Sequence, residues 1–138
     1  MARASGGQSV SERTLYYGPE RAEDIHRICH DGIDCGNVGA IAKNDNPLGK
    51  GGYFHVNAAQ ADKSSKRAKV RLVFVVQCLV GRWGQGSPEL VSPPAVNPKR
   101  PSGQLFDSCA DDPRNPKTFV IFDKAQLCPK YLITYQFA

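Results

Sequence analysis

Most of the constraint on this chain lies in one run, VRLVFVVQCLV, residues 70–80. Apolar side chains, many of them β-branched, occupy both parities of the run, so a strand built from it has no face suited to water. Such a strand belongs inside a sheet, with neighbours on either side and cover on both faces. Arg71 and Gln77 interrupt it, and it is far shorter than the ~20 apolar residues that a membrane-spanning helix needs. No membrane partner is expected. The 138 residues suit a single domain with one core. A hydrophobic share of 41% against 22% charged is ordinary globular composition rather than that of a disordered chain.

Shorter elements surround that strand. Thr14 to Tyr17 are β-branched and aromatic, and the run breaks at Gly18-Pro19. Pro19 at a first-turn position, followed by Glu20, opens a helix in which Ala22, Ile25, Ile28 and Cys29 recur at helical spacing. Gly32 ends it, and one thiol on it is expected to be buried. Residues 34–50, DCGNVGAIAKNDNPLGK, read as a long loop, and long ordered loops in small domains often carry function. GGYFHV, residues 51–56, is a strand whose leading glycines permit close approach of another segment or a ligand. Asn57 caps a short alanine-rich helix running to about Ser64. Residues 81–104 hold five of the ten prolines and four glycines, so no regular structure is expected there, and Trp83 is expected to pack from a turn. Further strands are expected at Leu105–Asp107, Thr118–Phe122 and Tyr131–Tyr135, separated by the polar loop CADDPRNPK. About six strands and two helices make an α+β domain, spanning residues 13–138 behind a small, polar, flexible tail, residues 1–12, that has no apolar core of a secretory signal.

Eighteen Lys and Arg against thirteen Asp and Glu leave a formal charge of +5, which attracts anionic ligands without naming one. The densest basic run, Lys63 to Arg71, lacks the interleaved aromatics of a single-strand-binding surface and reads as a solvated helix end. Five cysteines with no CxxC pair suggest neither a disulfide framework nor a zinc ribbon, so reduced thiols and an intracellular location are expected. His26, Cys29, His30 and Cys35 match no standard zinc spacing, and no metal is expected.

Taken in order, LYYGP, GKGGYFHVNAA, VGRWGQGS, SPPAVNP, LFDSCADD and NPKTFVIFDKAQLCPKYLITY resemble the catalytic domain of the PARP family of ADP-ribosyltransferases. The likeness is strongest to its mono-ADP-ribosylating branch, which includes the TCDD-inducible member and its zinc-finger relatives. It runs from about Thr14 to the C-terminus. It implies the ADP-ribosyltransferase fold, with twisted, mostly antiparallel sheets and few short helices. NAD is the implied substrate and a protein or nucleic acid the acceptor, with no metal and a monomeric domain. The helix and strand that usually open the family's domain have no counterpart in this sequence, so an edge strand is expected to be more exposed than usual.

The resemblance also implies a site. In the family, an aromatic-His-Gly-Thr strand supplies a His to the ribose and a Gly backbone to the nicotinamide carboxamide. A Gly-x-Tyr-Phe strand supplies a stacking Tyr, and the position before the FVIF strand is Glu in polymer-forming members. The matching positions are Tyr17, Gly18, Tyr53 with its neighbours Gly52 and Phe54, and Thr118. Tyr17, in place of the His, is expected to face the cofactor, its hydroxyl able to donate a hydrogen bond. A carboxamide-binding Ser and a second stacking aromatic are replaced by Ala61 and, approximately, Ser64. Tyr17, Tyr53 and Thr118 are thus the candidate catalytic residues; Tyr17, Gly18, Gly52, Tyr53, Phe54, Ala61 and Ser64 are the candidate NAD contacts.

Breaking the bond between nicotinamide and ribose passes through an oxocarbenium-like state that a nearby carboxylate stabilises, and Thr118 cannot supply one. Chain growth is therefore not expected. Two readings stay open on these residues: a mono-ADP-ribosyltransferase with an altered site, or a pseudo-transferase acting as a binding or scaffold domain. A nucleic-acid module using the +5 surface is a third and weaker reading.

Overall fold

The computed structural model describes residues 12–19, 24–33, 47–62, 70–100 and 102–136. The tail up to Ser11, residues 34–46 of the loop 34–50 and the basic stretch 63–69 lie outside them. Among the described residues, seven strands form one sheet: β1 Glu12–Tyr17, β2 Gly52–His55, β3 Val70–Leu79, β4 Trp83–Gln85, β5 Ser108–Ala110, β6 Thr118–Ile121 and β7 Leu127–Gln136. Their spatial order is β4-β5-β6-β2-β1-β3-β7. Every pairing is antiparallel except that of β4 with β5. Among the described residues, two α-helices, α1 Asp24–Asp31 and α2 Ala58–Ala61, complete an α+β architecture.

The apolar run of residues 70–80 becomes β3, held between β1 and β7. Phe74, Val76 and Cys78 on one parity are buried; on the other Val73 is 1% exposed while Val75, Gln77 and Leu79 are half-buried, so the second face is covered in part. Leu15 of β1, Phe54 of β2, Phe119 and Ile121 of β6, and Ile28 and Ile33 from α1 and its exit close one core with them. Gly32 ends α1 with a φ of 86°, and its N–H donates to the Ile28 carbonyl at 2.8 Å. That left-handed stop is one that glycine adopts at little cost.

Several boundaries differ from the sequence expectation. β1 starts at Glu12, inside the expected tail. Cys29, expected as the buried thiol of α1, is exposed; the helix turns Ile25 and Ile28 inward instead. The second helix ends at Ala61, where Asp62 takes up extended backbone, rather than near Ser64. Within the Pro- and Gly-rich segment, Trp83–Gln85 do form a strand, because β5 offers a parallel edge that no local signal announces. β5 itself lies at Ser108–Ala110 rather than Leu105–Asp107; Leu105 makes only an isolated bridge with Ala95. β7 begins four residues earlier than expected and carries Pro129 inside it. As the sheet edge, it tolerates a residue without an N–H, and a bulge next to the Val76–Pro129 pair absorbs the irregularity.

Gly51 meets a close approach of a different kind. A Cβ placed there would lie 2.7 Å from the Ile121 carbonyl oxygen and 2.8 Å from Val120 Cγ1. Backbone cannot yield as a flexible side-chain tip does, so Gly51→Ala is expected to destabilise the fold by about 1–3 kcal/mol, read as a lower denaturation midpoint at unchanged m-value.

Candidate functional site

The sheet is two ladders joined at one point. β1, β3 and β7 pair over long registers, as β6 does with β2 along the whole of β2. Between β1 and β2, however, the only registered pair among the described residues is Tyr16 with His55. Short of full pairing, two strands leave part of their backbone for other partners, and Gly18 lies just beyond the end of β1, next to this seam. The helix α2 packs over both β1 and β2, with Asn57 Oδ1 capping it by accepting from the Ala59 N–H at 2.7 Å.

Register and alternation sort the side chains at the seam into two sets. Thr118, His55, Tyr16, Val75 and Tyr131 form one cross-strand row through five strands. Tyr53 lies two residues before His55, on the same parity. The opposite parity carries Phe54 paired with Phe119 and Tyr17 paired with Phe74. Tyr17 packs against the core there, its ring centroid 5.3 Å from that of Phe54 at a tilt of 35°.

The expected site residues are therefore brought to one seam but not all onto one face. Tyr53 and Thr118 share a face. Tyr17, half-buried, turns its ring to the Phe54 side, and Phe54 is wholly buried among core residues. Gly18 and Gly52 are both buried. Ala61, the last residue of α2, is completely buried, and its side chain offers a methyl group and no hydrogen bond. Ser64 lies outside the described residues.

Tyr53 is held by its hydroxyl. The Leu48 N–H donates to it at 3.0 Å, and it donates to the Gly49 carbonyl at 2.8 Å. The ring thus fastens the C-terminal end of the long loop to β2. The Cys109 thiol, 3.3 Å from the Leu48 carbonyl, ties the same loop end to β5, and burial pushes that thiol up to about 12. It is a structural thiol, since the reactive form is the thiolate.

The side chain that sequence reasoning passed over is His55. It ends β2, is half-buried, and its Nδ1 stands 3.0 Å from Thr118 Oγ1. The signal was available: a strand residue two positions from a candidate ligand-facing tyrosine shares its face.

Asp107, Asp111 and Asp112 act as turn residues rather than as a carboxylate site. Asp107 accepts from the Arg82 N–H at 2.9 Å. Asp111 Oδ1 accepts from the N–H groups of Asp112, Lys117 and Thr118 at 2.9, 3.0 and 3.2 Å. This carboxylate shapes the loop that delivers Thr118 to the seam. Burial pushes the Asp111 carboxyl up, but the N–H groups of Lys117, Thr118, Asp112 and Asp111 itself outweigh that and hold it below its ordinary value. Trp83 packs as expected, edge-on to Phe119 at 5.2 Å, although from a strand rather than a turn. No cluster of three or more His, Cys, Asp or Glu side chains suited to a metal occurs among the described residues. His26, Cys29 and His30 are exposed on α1, while Cys35 falls outside them. An open hollow of about 460 Å³ lies between the C-terminal end of α1 and the start of β7, lined by Asp31, Ile33, Lys124 and Pro129 among others, and none of the expected site residues lines it.

Removing the Asp111 carboxylate leaves three backbone donors without their acceptor, so Asp111→Ala is expected to cost about 1–2 kcal/mol. Because the folded carboxyl titrates below its unfolded value, this contribution is present above the unfolded range near ~4 and is lost as pH falls through the depressed folded value. Urea titrations of parent and variant at neutral pH and in acid check both the size and this convergence.

Comparison with known proteins agrees with the order of the sequence motifs. No family model matches the chain. It is 35% identical over 139 residues to Protein mono-ADP-ribosyltransferase PARP12 of Mus musculus, covering 98% of this chain and 18% of that protein. It is 34% identical over 137 residues to human Protein mono-ADP-ribosyltransferase PARP14, covering 96% of this chain and 7% of the relative, and 36% identical over 136 residues to PARP10 of Mus musculus, covering 92% and 13%. The chain spans less than a fifth of the length of each of these three relatives. Across nearly its whole length this chain is thus similar to a segment of proteins named as mono-ADP-ribosyltransferases, which supports a divergent PARP-like domain.

Proposed function

We propose that this domain adopts the ADP-ribosyltransferase fold, binds NAD at the β1–β2 seam and transfers single ADP-ribosyl units to a protein or nucleic-acid acceptor. The observation that carries this reading is the single Tyr16–His55 junction: around it the fold gathers the end of β1, the Tyr53 strand, α2 and the Thr118 strand, the same segments that carry the family likeness. Tyr53, steadied by its hydroxyl bonds to the loop, supplies a stacking ring for the nicotinamide. The backbone at Gly18 supplies the carboxamide contact and Gly52 lets the ligand approach β2 closely. Thr118 lines the acceptor side, and without a carboxylate there the product is a single unit rather than a polymer.

A pseudo-transferase is the second reading, and two observations favour it. The Tyr17 ring lies against Phe54 rather than beside Tyr53, and the buried Ala61 methyl replaces a hydroxyl. Each lost hydrogen bond to a polar ligand costs about 0.5–1.5 kcal/mol, so the two together weaken NAD binding by roughly one to two orders of magnitude. A location inside the cell, where NAD is available, belongs to both readings.

The test is incubation with NAD labelled separately in its nicotinamide and adenylate halves. A transferase releases nicotinamide and labels protein or nucleic acid with adenylate, and Tyr53→Ala abolishes both. Absence of release at millimolar NAD, with NAD binding gained by the Tyr17→His, Ala61→Ser double variant, establishes the pseudo-transferase instead.

A further inference from the structure

The pair His55 and Thr118 has no role in the reading above beyond lining the site, yet it joins an imidazole and a hydroxyl on the Tyr53 face of the seam in a contact that bridges two strands. His55 and Thr118 are register partners in the β2–β6 ladder, and their side chains meet at 3.0 Å between Nδ1 and Oγ1. The Thr118 end of the pair is fixed by the Asp111 carboxylate, which holds the Thr118 N–H at 3.2 Å. The His55 end is fixed by backbone on both sides: β1 pairs it through Tyr16, and the next residue, Val56, donates its N–H to the Lys117 carbonyl at 2.9 Å. An imidazole oriented by a hydroxyl, half-buried on a rigid strand, is the arrangement that general-base catalysis requires.

We infer that His55 is the general base of the transfer reaction, with Thr118 as the residue that orients it, and that the acceptor is consequently a hydroxyl group. This rests on the transferase reading of the seam. When Nδ1–H donates to Thr118 Oγ1, Nε2 is the ring's proton acceptor. In the step, the bond between nicotinamide N1 and ribose C1′ breaks and nicotinamide leaves with the electron pair. A lone pair of the acceptor oxygen forms the new bond to C1′. The hydroxyl proton passes to Nε2, and the imidazolium returns it to water. A carboxylate acceptor, which carries no proton at neutral pH, has no use for such a base; a hydroxyl, which ionises far above neutrality, does. Tyr16, Tyr53 and Lys117 are the titratable residues nearest His55 along the pairings, and β1 also carries Glu12, Arg13 and Tyr17.

The experiment uses the whole chain, with NAD binding by calorimetry, nicotinamide release and acceptor labelling measured in parallel. His55→Gln keeps a hydrogen-bonding partner for Thr118 but is not a base, and it is expected to lower transfer about 100-fold or more, the scale of general-base catalysis, with NAD binding changed less than threefold. His55→Ala is expected to lose transfer likewise and to regain part of it on adding free imidazole, which a merely structural role would not show. The label is expected to resist neutral hydroxylamine, which cleaves carboxylate esters and leaves glycosidic bonds to hydroxyls intact. Transfer unchanged in His55→Gln, failure of imidazole to restore His55→Ala, or label released by hydroxylamine would each overturn the inference while leaving a working transferase. A parent that neither binds NAD nor releases nicotinamide removes the transferase reading and this inference with it.

Discussion

The single backbone pair between Tyr16 and His55 is the constraint around which this domain is organised. On one side of it, β3 runs between β1 and β7, with Phe74, Val76 and Cys78 buried on one face and Val73 on the other. On the other, β2 and β6 pair along the full length of β2 and pass through β5 to the short parallel β4. A sheet joined this way has continuous hydrogen bonding within each half and an interrupted seam between them. Because backbone groups near such a seam are not all committed to a ladder, it is where a ligand can meet main chain, and it is where α2 and the loop ending at Lys50 also converge.

Positioning around the seam relies on polar contacts with specific geometry rather than on area. The Tyr53 hydroxyl takes one hydrogen bond and gives another at the end of the loop, and Asp111 collects three backbone donors at the start of β6. Each contact ties an irregular segment to a strand. Their effect is to hold Tyr53 and Thr118 in fixed register while the intervening chain remains loop. Such preorganisation favours binding of any polar ligand at the seam, since disordered ligand contacts lose rotamer entropy on binding.

Three side chains give the seam its chemical character. Thr118 offers a hydroxyl and no carboxylate, Ala61 a buried methyl group, and Tyr17 packs on the core side beside Phe54. His55 adds an imidazole to the face that Tyr53 and Thr118 share. On the transferase reading proposed above, an imidazole beside a hydroxyl where no carboxylate stands makes the acceptor's chemical class the property to establish.

What the sequence determined by itself was set by local physics and by motif order. The composition of residues 70–80 required a buried strand, Gly32 and Asn57 marked a helix stop and a helix start, and the ordered segments from LYYGP to NPKTFVIFDKAQ carried the family likeness that homology across nearly the whole chain bears out. What only the tertiary structure decided were the features that depend on a partner far along the chain. β4 exists because β5 lies beside it, and Pro129 sits within β7 because that strand is the sheet edge. Tyr17 faces Phe54, and His55 meets Thr118 across a separation of 63 residues, because strand pairing chose their register. Alternation along a strand is written in the sequence, but which face a residue shares with residues on other strands is settled only when the strands pair.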